Sequence, residues 1–249
     1  MGALHEGHVS LIERSKREND RTVVSIFVNP TQFGPNEDFS EYPRPIEKDY
    51  ELAVAAGADI VFAPSVDEMY SNTRTSVQVR EVTELFEGKI RPGHFDGVAT
   101  IVSKLFNIVS PKNAYFGEKD LQQCALVQKL VADLNYKINI IICETIREEN
   151  GLAKSSRNRY LNEPESLLAP LLYKALSEAK ASILAGIPVA QTLGTNIKNL
   201  QEKSFSIDYF ELVDRNSMHP IAIPNDHASL IVAAKLGTTR LIDNVRVIG

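Results

Sequence analysis

AYFGEKDLQQCALVQKLVADLNYKINIIIC, residues 114–143, decides how this chain folds. Its ends, AYFGEK (114–119) and KINIIIC (137–143), are short apolar runs that read as strands. Between them DLQQCALVQKLVADLN (120–135) repeats its apolar residues at helical spacing. A helix between two strands returns the chain to the starting edge of the sheet, so the strands run parallel.

The same alternation extends toward the amino terminus. HVSLIERSKREND (8–20) has a short helical stripe, and RTVVSIFVN (21–29) reads as a buried strand. PTQFGPNEDFSEYPRP (30–45) carries Pro30, Gly34, Pro35, Pro43 and Pro45 and is expected to be a loop. IEKDYELAVAAGAD (46–59) is a helix closed by Gly57, and IVFAP (60–64) is the next strand. Residues 79–88 lead into a loop at IRPGHFDG (90–97), followed by a helix at 97–110 that Pro111 stops. The fold class expected is α/β, a Rossmann-like parallel sheet with helices on both faces.

Beyond Thr145 the character changes. REENGLAKSSRNRYLNEPE (147–165) is polar, helices are expected at 167–185 and 191–201, and strands at 206–214, 228–237 and 239–248. Residues 1–146 are therefore expected to form the Rossmann-like domain and residues 147–249 a smaller α+β domain.

With 43% hydrophobic and 24% charged residues, the composition is that of an ordinary globular protein. Its 27 basic and 32 acidic residues leave a net charge of −5, which argues against nucleic acid as the main partner. Small anions are still allowed, since a local pocket can be positive. Cys124 and Cys143 stand apart in apolar surroundings and form no CxxC pair, which favours a reduced interior over a disulfide or zinc site. The chain has no basic start followed by an apolar run, and no stretch near the roughly 18 apolar residues of a membrane span. A cytoplasmic protein without membrane contact is the expectation.

Several clusters could carry chemistry. His5 and His8 in HEGH sit three apart at a helix start, where amides and the helix dipole favour phosphate. A metal site lacks a third ligand nearby; two surface histidines is the plainer alternative. Gly2 and Gly7 let backbone approach a ligand closely. Gly117, Glu118, Lys119 and Asp120 follow a strand and open a helix, at the edge where α/β sheets bind ligands, although Asp120 could simply cap that helix. Lys154, Ser155, Ser156 and Arg157 place two cations and two hydroxyls in four residues, suited to a triphosphate or to a solvated basic loop. Asn29, Gln32 and Gln123 are amides that could bind a small substrate or serve as turn and cap residues. The loop from Arg91 through His94 and Asp96 to Gly97 is a further charged candidate.

MGALHEGH (1–8), with KSSR (154–157) downstream, resembles the HIGH and KMSKS pair of the adenylate-forming nucleotidyltransferases. FVNPTQFGPNEDFSEYPR (27–44), RPGHFDGV (91–98), FGEKDLQQ (116–123), GLAKSSRNRYL (151–161) and TRLIDN (239–244) complete an ordered set. Together these blocks resemble the pantoate–β-alanine ligase (pantothenate synthetase) family over essentially the whole chain.

That resemblance implies ATP-dependent ligation of pantoate and β-alanine to pantothenate through a pantoyl adenylate, with release of AMP and pyrophosphate. It implies that Met1, Gly2, Ala3, Leu4, His5, Glu6, Gly7 and His8 line the nucleotide site, His8 as proton donor and His5 at the phosphates. Gly117, Glu118, Lys119, Asp120 and Lys154 to Arg157 would complete the ATP site, with Ile146 meeting adenine through its backbone. Lys119, Ser155, Ser156 and Arg157 would face the developing phosphate charge. Gln32 and Gln123 would hold pantoate, Gln32 also bordering β-alanine, with Asn29 nearby. It further implies Mg²⁺ with ATP, its ligands unassigned, and a homodimer. Relatives often carry an apolar residue where this chain has Lys154, and the lysine brings the block closer to KMSKS.

Relatives also carry a strand ending in Pro-Thr just ahead of the MGALHEGH block. A chain beginning at that Met is expected to lack a central strand, leaving unpaired backbone on its neighbours. Expressed alone, it is expected to be largely insoluble or inactive, and a catalytically compromised homologue that only binds or dimerises is the alternative. Within the superfamily, transfer of ATP or CTP to a phosphorylated acceptor is the nearest rival. FVNPTQFGP (27–35) and FGEKDLQQ (116–123) weigh against it. An aminoacyl-tRNA synthetase is disfavoured by the short length and acidic charge.

Overall fold

A computed structural model describes residues 2–35 and 37–248, which divide into two units. The first comprises Met1–Glu118 and Gln122–Glu144, and the second Lys119–Leu121 and Thr145–Gly249.

In the first unit α1 (Glu6–Glu18) leads to β1 (Val23–Ser25), and α2 (Ile46–Ala55) crosses to β2 (Ile60–Phe62). The two strands run parallel with Val23 opposite Ile60, and Ile26 N extends the pairing by donating to Phe62 O at 2.8 Å. Leu4, Ile12, Val24, Ile26, Ala53 and Ala56 close over this pair as one buried cluster. Gly57 ends α2 at φ +100, a conformation natural only to glycine. The short helices α3 (Val66–Tyr70) and α4 (Phe86–Ile90) precede α5 (His94–Val109). Then β3 (Asn113–Gly117), α6 (Leu121–Asp133) and β4 (Asn139–Cys143) follow. β3 and β4 are parallel from Asn113–Asn139 to Gly117–Cys143, and Leu126, Val127 and Leu130 of the crossover helix are buried. The α/β class is as expected. Among the described residues the parallel strands form two separate pairs, β1 with β2 and β3 with β4.

The second unit packs α7 (Glu163–Leu168), α8 (Leu171–Leu184) and α9 (Val189–Gln201) with an antiparallel sheet of β5 (Phe205–Asp214), β6 (Ala228–Leu236) and β7 (Thr239–Arg246). Its core joins Leu172, Leu176 and Leu193 from the helices to Phe210, Leu212, Leu230 and Val232 from the strands.

Several elements differ from the sequence reading. The stretch 94–97, expected in a loop, is the first turn of α5, because Gly93 at φ +81 completes the bend and Phe95 is buried. The helix expected over 167–185 is broken after Leu168, since Pro170 has no N–H to continue α7 and instead begins α8. α3 and α4 lie where the sequence reading has no helix; α3 starts at a reciprocal capping box of Ser65 and Glu68, and α4 has no side-chain cap.

Gly97 illustrates packing overriding propensity. A Cβ on it would sit 2.4 Å from the carbonyl oxygen of Thr31, so α5 lies on the Pro30–Gln32 turn only because that side chain is absent. Gly194, inside α9, has nothing within 4 Å of the same position. Replacing Gly194 with Ala should stabilise the protein by about 0.5–1 kcal/mol. Gly97→Ala, overpacked against backbone, should instead destabilise it by about 1–3 kcal/mol. Chemical denaturation of the two variants checks the opposite signs; equal signs would sink the packing argument.

Candidate active site

The segment before α1 is held from outside itself. Asp49, on α2 and 1% exposed, accepts from Ala3 N at 2.8 Å and from Leu4 N at 2.7 Å. Ala3 sits at φ +50, a strained value for a residue with a Cβ, and the two bonds to Asp49 fix it there. Gly2, Ala3 and Leu4 are buried, Glu6 is exposed, and Met1 lies outside the described residues.

The chain then enters α1 with His5 as N-cap. His5 Nδ1 accepts from Gly7 N at 3.2 Å, and His8 Nδ1 accepts from His5 N at 3.3 Å, a capping box built from two imidazoles. Their rings lie 4.1 Å apart. Because each Nδ1 lone pair takes a backbone N–H, the neutral rings carry their protons on Nε2. The cap thus presents two ring N–H donors beside the positive end of a helix.

Asn29, Gln32, His94 and Arg91 meet around the Pro30–Gln32 turn. Asn29, 2% exposed, has both ends of its amide engaged. Its Oδ1 accepts from Tyr70 Oη at 2.7 Å and Thr31 Oγ1 at 2.9 Å, while Nδ2 donates to Gly97 O at 3.1 Å and Gln32 Oε1 at 3.3 Å. Asn29 therefore holds Gln32. Arg91 is clamped by Glu37 at 2.9 and 2.6 Å and faces His94 Nε2 at 3.2 Å. A guanidinium only donates, so Nε2 accepts, and Nδ1–H donates to Gln32 O at 2.8 Å. Burial, then the Arg91 charge, push the His94 imidazole below its ordinary value, against the Gln32 carbonyl and the carboxylates of Glu37 and Glu87.

The adjacent glutamines of α6 divide their work. Gln122 is buried, accepts from Glu87 N at 3.0 Å and donates to the carbonyls of Val82 and Leu85, both at 2.8 Å. Gln123 is half-buried and, among the described residues, its amide has no protein partner. Gly117 ends β3, and a Cβ there would touch nothing within 4 Å, so packing does not require this glycine. Glu118 is buried.

In the second unit Lys119 Nζ lies 3.7 Å from Asp120 Oδ1, and the Lys119 carbonyl accepts from Asn244 Nδ2 at 3.0 Å. Ile146 O accepts from Lys154 N at 2.9 Å, and Lys154 Nζ pairs with Glu148 at 2.7 Å. Ser155 caps the short turn Ser156–Tyr160 by accepting from Arg157 N at 3.3 Å. Arg147 anchors this region to β7 through Asp243 at 2.6 and 2.9 Å. No group of three or more His, Cys, Asp or Glu that could hold a metal ion is found among the described residues. No helix among them is long and apolar enough to cross a membrane.

Asp49 escaped the sequence reading as a site residue; His94 was named only within a charged loop, and Asp243 and Asn244 only within the TRLIDN block, with no role given to any of the three. Asp49 left a trace: it stands on the buried face of α2 four residues before Ala53, where a charge needs a partner.

The family model for pantoate-beta-alanine ligase matches residues 1–246. The chain is 52% identical over 248 residues to pantothenate synthetase of Acetivibrio thermocellus, covering 98% of this chain and 88% of that protein. A crystal structure of pantothenate synthetase from Thermus thermophilus matches with a TM-score of 0.96 at 45% identity, covering 100% of this chain and 91% of that one. The pantoate-beta-alanine ligase of Francisella tularensis, complexed with beta-gamma ATP and beta-alanine, matches with a TM-score of 0.82 at 36% identity, covering 99% and 87%.

Two outcomes follow from the geometry. His5→Asn keeps a side-chain acceptor for the cap and removes the ring donor, so it should stay within a few tenths of a kcal/mol of wild type, whereas His5→Ala should lose about 0.5–2 kcal/mol. Equal losses in both, measured by denaturation, would show that the imidazole is not acting as a cap. For His94, the unfolded chain takes up a proton at higher pH than the folded one. The stability due to its neutral ring is intact above about pH 6.5 and falls as the pH drops through the lowered folded value. His94→Asn should flatten that part of the stability–pH curve; an unchanged slope would assign it to other groups.

Proposed function

The chain belongs to the pantoate–β-alanine ligase family, and on that premise we propose that it forms pantothenate by an ATP-dependent ligation in two steps, only the first of which consumes ATP. In the first, a pantoate carboxylate oxygen attacks the α-phosphorus of ATP, the bond to the β-phosphate oxygen breaks, and pyrophosphate leaves. In the second, the β-alanine amine attacks the acyl carbon of pantoyl adenylate, the acyl–oxygen bond breaks with AMP leaving, and the amine gives up a proton. Activation splits one hard acyl transfer into two easier steps, and positioning with charge neutralisation carries the first.

The observation that carries this reading is the imidazole cap, which fixes two Nε2–H donors at the start of α1. We assign His8 as proton donor to the leaving phosphate and His5 as a second phosphate contact, with Gly2, Ala3, Leu4, Glu6 and Gly7 shaping the turn. Lys119, Ser155, Ser156 and Arg157 are assigned to the phosphate charge, with Gly117, Glu118, Asp120 and Lys154 beside them and Ile146 to adenine. Gln123, whose amide has no protein partner among the described residues, is assigned to pantoate together with Gln32, which Asn29 orients. The donor set does not suit a protein-held metal; it suits Mg²⁺ entering as the ATP complex, with phosphate oxygens and water as its main ligands. The reading includes a cytoplasmic homodimer. The comparisons favour ligation over a protein that only binds or dimerises.

Exchange of labelled pyrophosphate into ATP should require pantoate and not β-alanine, while net AMP release should require both. Exchange with CTP, or with a phosphorylated acceptor in place of pantoate, would overturn the reading. Gln123→Ala should weaken pantoate by roughly three- to tenfold, the worth of one hydrogen bond, and leave ATP within a few fold. The reverse pattern would reassign that residue.

A further inference from the structure

Asp243 and Asn244 lie in β7 and are not assigned to any substrate, yet Asn244 reaches the backbone of Lys119, and Asp243 holds the side chain of Arg147, which pairs with the strand-like stretch leading into Lys154. Asp243, 3% exposed, takes the Arg147 guanidinium bidentately, a geometry that fixes rotation as well as distance. Arg147 also donates to Gly151 O at 3.1 Å and to Asn244 O at 3.3 Å, and lies over the Tyr173 ring at 3.7 Å. Arg147 bridges Ala153 in antiparallel fashion, and Ala153 O accepts from Asn158 Nδ2 at 3.0 Å. Lys154 to Arg157 therefore sit between two fixed points. The next residue acts on the other segment: Asn244 N donates to Asp243 Oδ1 at 2.8 Å, and Asn244 Nδ2 donates to Lys119 O at 3.0 Å.

We propose that Asp243 and Asn244 are positioning residues for the nucleotide, one setting the Lys154–Arg157 loop through Arg147 and the other setting Lys119. The proposal rests on the assignment of those segments to the ATP phosphates. A dipeptide in a strand sends its side chains to opposite faces, so one stretch of β7 can serve both. Lysine at 147 would keep the charge and lose the fork.

The test is pyrophosphate exchange by the full chain with KM resolved for ATP and for pantoate, alongside thermal melting, for Asn244→Ala, Arg147→Lys and Lys119→Ala. Asn244→Ala and Arg147→Lys should each raise KM for ATP roughly three- to tenfold while KM for pantoate stays within about twofold. A merely structural role would lower the melting temperature and leave KM for ATP unchanged, and that result overturns the proposal. Should Arg147→Lys fold poorly, the pair Arg147→Met with Asp243→Leu removes the buried charge from both sides. Recovered melting with KM for ATP still raised supports positioning; recovery of both overturns it. If Lys119→Ala also leaves KM for ATP unchanged, the assignment of the ATP ligands has failed and the proposal with it. If Lys119→Ala raises that KM while Asn244→Ala does not, the positioning role alone has failed.

Discussion

The two bonds from the amides of Ala3 and Leu4 to the buried carboxylate of Asp49 are the constraint on which the amino-terminal site depends. A carboxylate out of water needs charge-assisted partners, and two backbone N–H groups supply them without a counter-ion. Because the bonds are to backbone, they set chain direction rather than a single side chain. Ala3 is held at a positive φ, Leu4 is turned into the cluster with Ile12 and Val24, and His5 emerges extended, as an N-cap must. The capping box with His8 then follows from local geometry. Removing the carboxylate would leave two amides without acceptors and relax the strain at Ala3, so ring orientation at His5 and His8 depends on a residue forty-odd positions away in sequence.

The second unit solves the same problem with an ion pair. Arg147 and Asp243 are largely withdrawn from solvent, where attraction alone does not repay desolvation. What makes the arrangement sustainable is completeness: the guanidinium also reaches two carbonyls and an aromatic face, and the second carboxylate oxygen accepts the Asn244 amide as well. An arginine so fully occupied has little freedom to move, and the loop bridged to it inherits that rigidity.

Much of the architecture could be read locally. Helical spacing over 120–135 between two apolar runs located β3, α6 and β4, and alternating apolar residues located β5 and β7 within a residue or two. Errors fell where a tertiary contact decides. The run 94–97 looks like a loop because Gly93 and Gly97 flank it, yet Gly97 is required by the carbonyl of Thr31, a contact that no local window contains. The helix at 167–185 has unbroken apolar spacing, and only Pro170 marks the break. Motif residues of the site were recognisable as blocks, and His94, Asp243 and Asn244 stand inside them, but the orienting roles of these residues and of Asp49 were not legible, since they act through pairings distant in sequence.

Hydrogen-bond capacity separates scaffold from chemistry more sharply than residue type does. Asn29, Gln32, Gln122 and Gln123 are all amides, of the same donor and acceptor capacity, and the sequence reading took Asn29, Gln32 and Gln123 as candidates without distinguishing them. Asn29 and Gln122 have donors and acceptors fully engaged by the fold, so a ligand could recruit them only by stranding a buried partner at a cost of about 1–3 kcal/mol. Gln32 is half engaged, its oxygen held by Asn29. Gln123 follows Gln122 directly, yet helical rotation turns it out of that network and leaves its amide unused among the described residues. In the imidazoles of α1 it is Nδ1 that serves the cap, so the capping bonds fix the rings without involving Nε2. Among the described amides, then, the fold spends Asn29 and Gln122 on its own bonds, and Gln123 is the one placed to meet a ligand without stranding a buried partner.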